Sequence, residues 1–332
     1  MNLFVEHLAA IHTDFNAHAT KEVLKMTETK NINHLNIGCI GVGHMGSVLA
    51  RVFSEGDGDN KILICDHLDE KVQSLASATC CIASNVNEII HDCDVIVLGM
   101  RPQDQPTFLH EIARVLHKRI EDKEQLLIVT MAAGVACSQV QENLGFEIPV
   151  MRIMPNTPTD VGFGAIPYCL KSVCDSEVFI QDDDDNVEKP ECALADNALN
   201  EGTFFLVKGI VSLLEKSAVV LEVCEENMDA VCALSGSGPA FVYRFIDAMS
   251  SAGIALGLKD FTASELALQT VLGSAMLAKQ STQTPSQLAD AVCSPGGTTI
   301  EGVNVLDASD FDECVKNTLK ASFKRSQELS KN

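Results

Sequence analysis

A short apolar run, Asn36 to Ile40, passes straight into Gly41-Val42-Gly43-His44-Met45-Gly46 and then into the helical stretch SVLARVF. A strand that ends in such a turn must have a helix folded back on it. Gly41 makes the tight turn, Gly43 lets a pyrophosphate approach the backbone, and Gly46 lets the helix lie close to the strand. The glycine spacing alone says little, but a second apolar run, Lys61 to Cys65, ends at Asp66, about 20 residues past Gly46. An acid there can bond both hydroxyls of an adenosine ribose, so the pattern predicts a parallel βαβ unit that holds a dinucleotide. The same carboxylate repels a 2′-phosphate, and no Arg stands in the six residues that follow, which favours NADH over NADPH. The plainer reading of Asp66 is a cap on the turn before LDEKVQSLA.

Further βα cycles follow. CIASNVNEIIHDC reads as a short strand and a helix, and its Asn85 is counted with the cofactor-binding residues. DVIVLGM is a fully apolar strand of the buried parallel kind, broken by Arg101-Pro102, which places Met100, Arg101 and Pro102 at the carboxyl edge where doubly wound sheets bind ligands. After QLLIVT come the small residues Ala132 and Ala133, and Pro155 and Pro158 fix a loop round Asn156. Those two alanines and the Asn156 amide offer a surface against which a flat nicotinamide can lie. Residues 174–198 break the pattern: the acids Asp182 to Asp185 read as a self-repelling solvent loop, and without EF-hand spacing no metal site is expected. EGTFFLVKGIVSLLEK and SAVVLEV supply a closing helix and strand.

From about Glu225 the chain reads as all helix, with Ser235-Gly236-Ser237-Gly238-Pro239 interrupting the first segment. Apolar and small residues cover nearly every face of FTASELALQTVLGSAMLAKQ, so that helix should be buried, against a partner chain. The stretch AVCSPGGTTIEG, Ala291 to Gly302, is a tight turn feeding a helix, whose first N–H groups and dipole favour an anion such as a carboxylate. An ordinary loop and N-cap would look the same. The domains expected are thus 1–34, an extension that can form a short helix; 35–224, a dinucleotide-binding unit with an acidic insert; and 225–332, a helical unit.

The formal charge of −22 over 332 residues argues against nucleic acid or an anionic membrane as partner, and no run is long and apolar enough to span a bilayer. Residues 1–30 lack both the basic character of a transit peptide and the apolar core of a signal sequence. Thirteen cysteines without CxxC pairs point to reduced thiols, hence to a cytoplasmic protein.

MDAVCALSGSGPAFVYRFIDAM, LADAVCSPGGTTIEGVNVLD and RIMPNTP, with GVGHMGSVLA and LGMRPQ, make the chain resemble pyrroline-5-carboxylate reductase from about Ile37 to Glu328. The resemblance implies a Rossmann-like α/β domain carrying NADH or NADPH, followed by an all-helical dimerisation domain that interlocks with a second subunit, with the option of a larger homo-oligomer. The implied reaction is reduction of 1-pyrroline-5-carboxylate to L-proline. By motif, Ile40 to Met45 hold the pyrophosphate, Met100 to Pro102 line the ribose and phosphate side, and Ala132 and Ala133 flank the nicotinamide. In the substrate loop, Ser294, Gly296, Gly297 and Thr298 cradle the substrate, the amides near Gly297 and Thr298 taking its carboxylate, and Thr299 is the catalytic hydroxyl facing the ring nitrogen. Arg101 replaces the family's usual Lys, Phe163 replaces an acidic or polar residue, and Ala291 a polar one. The competing readings are a β-hydroxyacid dehydrogenase, whose Gly-x-x-Gly-x-x-x-Lys pattern is absent between Gly164 and Gly257, and a non-catalytic dinucleotide-binding homologue.

Overall fold

The structure, a computed structural model, describes residues 34–55, 60–122, 124–171 and 200–330. The N-terminal extension up to residue 33 and the acidic insert expected at 174–198 lie outside the described residues.

Eight strands form one sheet: β1 (Asn36–Ile40), β2 (Lys61–Cys65), β3 (Ile82–Ala83), β4 (Val95–Leu98), β5 (Leu127–Thr130), β6 (Val150–Ile153), β7 (Gly164–Lys171) and β8 (Ala218–Glu222). Their order is β3-β2-β1-β4-β5-β6-β7-β8, and the first six run parallel in the Rossmann arrangement. β7 then turns back antiparallel to β6, and β8 runs parallel to β7. Six helices cover the two faces: α1 (His44–Ser54), α2 (Asp69–Ala78), α3 (Val86–Asp92), α4 (Gln105–Glu121), α5 (Cys137–Leu144) and α6 (Glu201–Leu214).

The apolar strands predict burial on both sides, and successive residues divide between two cores accordingly. Leu127 and Val129 join Leu49 and Phe53 of α1, Leu75 of α2 and Ile210 of α6. Leu126 and Ile128 join Ile89 of α3, Leu109 and Leu116 of α4 and Val140 of α5. This is the period-2 alternation of a strand sandwiched between helical layers.

Two strands differ from the sequence reading, which assigns neither VMRI, here β6, nor GAIPYCLK. The latter forms β7 although it contains Pro167. The last β6–β7 pair is Ile153↔Tyr168, so the proline stands one position beyond the antiparallel ladder, and its carbonyl still accepts from the Met154 N–H at 2.9 Å.

After β8 the chain is helical: α7 (Met228–Val231), a π turn (Cys232–Gly236), α8 (Gly238–Ala255), α9 (Asp260–Gln280), α10 (Pro285–Val292), α11 (Thr298–Ala308) and α12 (Phe311–Leu329). Beyond Met228, the only buried hydrophobic residues among those described are Ala233, Ala263 and Ala267. Leu256, Phe261, Leu266, Leu277 and Val305 all lie open on one chain. α9, apolar on nearly every side, buries only its two alanines. This half has no large-side-chain core of its own.

Cys224 corrects one expectation. Ten described cysteines are free thiols, but Cys224 is disulfide-bonded. The absence of CxxC pairs argues against a disulfide framework or zinc site, whereas a single bridge needs only two sulfurs within reach.

Candidate active site

The carboxyl ends of β1, β2, β4 and β5 share one edge because those strands are parallel, and this collects most of the expected cofactor residues. Gly41 leaves β1 with φ of +94° and donates its N–H to the Cys65 carbonyl at 2.8 Å. A Cβ on Gly46 or on Gly99 would stand 2.1 Å from the Gly41 carbonyl oxygen, so three glycines from β1, α1 and the end of β4 meet with no room for a methyl group. Gly43 is different. A Cβ there would meet nothing within 4 Å, so the space over it is open to a ligand. α1 begins at His44 with no side chain capping it and no acid in its first turn, leaving its N–H groups and dipole for an anion. The half-buried Met45 and the buried Ile40 and Val42 flank this turn. These residues fit a dinucleotide pyrophosphate.

Asp66 does more than either sequence reading assigned to it. Its carboxylate is almost wholly buried; one oxygen accepts from the Val42 N–H at 2.9 Å and the other from the Leu68 N–H at 3.0 Å. It therefore ties the glycine loop to the end of β2 while also closing the turn after it. The exposed His67 ring stands 2.9 Å from the second oxygen, over the carboxylate. Asn85 caps α3, its side-chain oxygen accepting from the Glu88 N–H at 3.0 Å. Arg101 points outward and pairs with Asp104 at 2.9 Å in the short turn that Pro102 starts, beside the half-buried Met100.

Ala132 and Ala133 follow Thr130 at the end of β5, and the turn closes at Gly134, whose φ is +78°. Beneath it the wholly buried Gln105 side chain donates to the Thr130 hydroxyl at 3.2 Å. Asn156 is buried with its amide engaged: its oxygen accepts from the Ala165 N–H at 2.9 Å and its Nδ2 donates to the Ser235 carbonyl at 3.1 Å. The cause of the second bond lies in the helix. Pro239 has no N–H to offer the carbonyl four residues back, which frees Ser235 for Asn156 and leaves the π turn, where the Ser237 N–H donates to the Cys232 carbonyl.

An open cavity of about 700 Å³ lies where the sheet domain meets the helices, lined by Thr157, Gly236, Ser237, Pro239, Ala240, Phe241, Tyr243, Thr318, Ala321 and Ser322. The loop from Ser294 to Thr299 is not part of its lining. In that loop Gly296 has φ of +69°, the Gly297 N–H donates to the Ser294 carbonyl at 2.9 Å, and a Cβ on Gly297 would stand 2.4 Å from the Ser294 hydroxyl. α11 then starts at Thr298 with no capping side chain; Thr298 and Thr299 are exposed, as is Ala291 on α10. The amides of this first turn can receive a carboxylate. Phe163 is also exposed, just past the 3₁₀ turn Thr157–Val161.

Residues 225–329 match a family model described as pyrroline-5-carboxylate reductase dimerisation, and residues 36–133 match one described as NADP oxidoreductase, coenzyme F420-dependent. The pyrroline-5-carboxylate reductase of Synechocystis is 34% identical over 90% of this chain and 99% of its own length, and that of Pseudomonas aeruginosa 33% identical over 89% and 96%. The chain belongs to the pyrroline-5-carboxylate reductase family. Among solved structures, the pyrroline-5-carboxylate reductase of Coxiella burnetii superposes with a TM-score of 0.73 at 27% identity, covering 90% of this chain and 99% of that one. The Plasmodium falciparum pyrroline carboxylate reductase, solved with NADP bound, gives 0.69 at 26% identity over 89% and 98%.

In this reductase-family chain the sequence reading missed the walls supplied by Thr157, Thr318 and Ser322, because separate elements contribute them without any spacing signal. It also missed a partly buried cluster behind the site, two buried cysteines with a more exposed glutamate. Cys137, Cys169 and Glu225 bring their ligand atoms within 4.8 Å of one another, a grouping with metal-binding potential. Its cation is already present: the buried Arg152 guanidinium lies 3.7 Å from Glu225, which also accepts the Cys137 N–H at 2.6 Å. A hydrogen bond to Cys169, with burial and Glu225 adding to it, pushes the Cys137 thiol far up, so it stays protonated. The cluster is structural support for the start of α5.

Proposed function

We propose that the chain reduces 1-pyrroline-5-carboxylate to L-proline with a nicotinamide dinucleotide, and that it prefers NADH to NADPH. The observation that carries the reading is the uncapped first turn of α11 behind Gly296 and Gly297, an anion cradle with a threonine hydroxyl beside it, in a chain whose other half presents an open glycine loop. In the balanced reaction the cyclic imine takes a hydride at C5 and a proton at nitrogen, and the reduced cofactor leaves oxidised. The bound nicotinamide supplies the hydride. An iminium carbon is already electrophilic, so the protein mainly aligns the partners and excludes water. The amides near Gly297 and Thr298 fix the carboxylate, and the Thr299 hydroxyl bonds the ring nitrogen and relays its proton. Ala132 and Ala133 present a small flat surface beside the cofactor. The glycine loop holds the pyrophosphate, and Asp66 holds the adenosine ribose with the lone pairs its backbone bonds leave over.

The working unit is a homodimer through the helical half. Two observations support this: that half buries nothing larger than Ala beyond Met228 among its hydrophobic residues, and the substrate loop is absent from the lining of its own chain's cavity. A second copy supplies the missing core and brings its own Ser294–Thr299 loop to the cavity.

Thr299→Val tests the assignment. Imine reduction at saturating NADH should fall about tenfold or more while cofactor affinity barely moves; unchanged turnover would remove Thr299 from the mechanism. Assays with pyrroline-5-carboxylate and with hydroxyacid–ketoacid pairs, each with NADH and NADPH, separate this function from a hydroxyacid dehydrogenase and from a silent homologue.

A further inference from the structure

We infer that the end of α12 is a positioning element for hydride transfer, and that the Ser326–Asp229 hydrogen bond sets it in place. The inference rests on the proposed reaction, in which the Ala132–Gly134 turn flanks the nicotinamide.

Gly134 is where the two halves of the chain touch most closely at this turn. It is buried, its φ is +78°, and a Cβ there would stand 2.9 Å from both the Leu329 carbonyl carbon and the Ser330 nitrogen. The back wall of the turn is therefore the main chain at the C-terminal end of α12. Wherever that end lies, the turn must conform to it, since backbone cannot move aside as a side-chain tip can.

What fixes the end of α12 is a row of hydroxyls four residues apart. Ser322 bonds the Ser237 hydroxyl at 2.8 Å, the buried Ser326 donates to Asp229 Oδ1 at 2.6 Å, and Ser330 approaches the same oxygen at 3.4 Å. Asp229 is itself anchored, because its neighbour Met228 is wholly buried in the core beneath β5 and α5. Ser326 acts through Asp229 and Gly134 and touches no substrate, so it is a positioning residue. Losing its hydroxyl loosens the turn at the nicotinamide while the pyrophosphate and ribose contacts, at Gly41–Gly46 and Asp66, stay as they are. The deficit should therefore fall on turnover and spare cofactor affinity.

The test compares the full chain with Ser326→Ala and Ser326→Thr. For Ser326→Ala, turnover at saturating imine and NADH should fall roughly tenfold, short of the about 100-fold that a misplacement of about 1 Å can cost. The NADH dissociation constant, read by fluorescence, should stay within about twofold because its main contacts are elsewhere. The deuterium isotope effect on turnover with 4-deuterated NADH should rise, and Ser326→Thr should restore the parent values. A second readout needs no activity: hydrogen exchange in the peptide spanning Thr130 to Ala136 should quicken in Ser326→Ala, since the Val135 N–H closes the turn on the Ala132 carbonyl, while β1 and β4 keep their protection. Faster exchange in that peptide alone upholds the placement of the turn by the Ser326–Asp229 bond even if the parent chain proves inactive on the imine, an outcome that would defeat the proposed reaction and with it the role in hydride transfer. Parent-like exchange and turnover in a folded Ser326→Ala dimer would overturn the inference. Should that variant lose its fold, Asp229→Leu, which removes the acceptor oxygen at similar size, replaces it under the same two criteria.

Discussion

Gly43 and Gly46 stand three residues apart and are required for opposite reasons. At Gly46, as at Gly99, a methyl group would collide with the Gly41 carbonyl oxygen, which is backbone and cannot yield. Gly46→Ala and Gly99→Ala should each destabilise the sheet domain by about 1–3 kcal/mol, as overpacking of a tight core does, measured by urea unfolding. Gly43→Ala should leave the melting temperature within a degree or two while dinucleotide affinity, by fluorescence titration, drops roughly tenfold, because the methyl fills ligand space and nothing else. The spacing 41-43-46 was legible in the sequence, as was Asp66. The partner glycine at 99 was not, because it belongs to a distant strand and carries no spacing of its own. The two backbone bonds to Asp66 were equally hidden, since a sequence shows how far an acid lies from a glycine but not which N–H it finds. They sharpen the cofactor prediction. Asp66→Ser should move the NADPH-to-NADH ratio of kcat/KM towards NADPH by about tenfold and lower the melting temperature as well, because the Val42 and Leu68 N–H groups share one shorter acceptor. An unchanged ratio with a lowered melting temperature would leave Asp66 as a loop tie alone.

At the scale of the element, the first five strands and β8 were readable from the sequence, whereas β6 and β7 were not. β7 carries Pro167, which the sheet accommodates because the pairing register leaves the proline just past the end of β6. The π turn was foreshadowed by Ser-Gly-Ser-Gly-Pro, but its use was not: a missing N–H at Pro239 only becomes a bond to Asn156 once the fold brings the two together. At the far edge, burial raises the carboxyls of Glu215 and Glu222 above the usual range, the latter in spite of a hydrogen bond from Tyr168. The folded chain thus holds protons there at a pH where the unfolded chain has released them. These two groups make stability fall as pH rises from the ordinary carboxylate value through the raised one, with no further loss above it. Glu222→Gln should flatten that part of the profile: measured from roughly pH 4 to pH 7, the melting temperature of the variant should gain on that of the parent as pH rises. A constant difference across the range would mean that Glu222 titrates normally.

For the whole molecule, the two halves differ in how they are stabilised. The sheet domain has a core on each face, whereas the helical half exposes Leu256 and Phe261 almost entirely and buries only small apolar residues past Met228. The apolar periphery of α9, and hence its burial against a partner chain, was visible in the sequence; that the neighbouring helices also lack a core of their own was not, because their hydrophobic pattern does not say whose surface does the covering. Phe261→Asp should shift the sedimenting species to a monomer at micromolar concentration and abolish imine reduction, while NADH binding persists. For the parent chain, the melting temperature of the helical half should rise with protein concentration, as mass action requires of a domain completed by association. A single melting temperature from about 0.1 to 100 μM would contradict it.

The missing large-residue core past Met228 also sets the order of events at birth. The sheet domain, with its glycine loop, can fold as soon as it emerges, at a rate independent of its neighbours. The helices that follow complete themselves only on encounter with another copy, so their appearance is second order in chain number. When few copies are present, the newly made protein waits as a finished nucleotide-binding half trailing an apolar helical segment, and its lifetime in that state depends on how soon a twin is made.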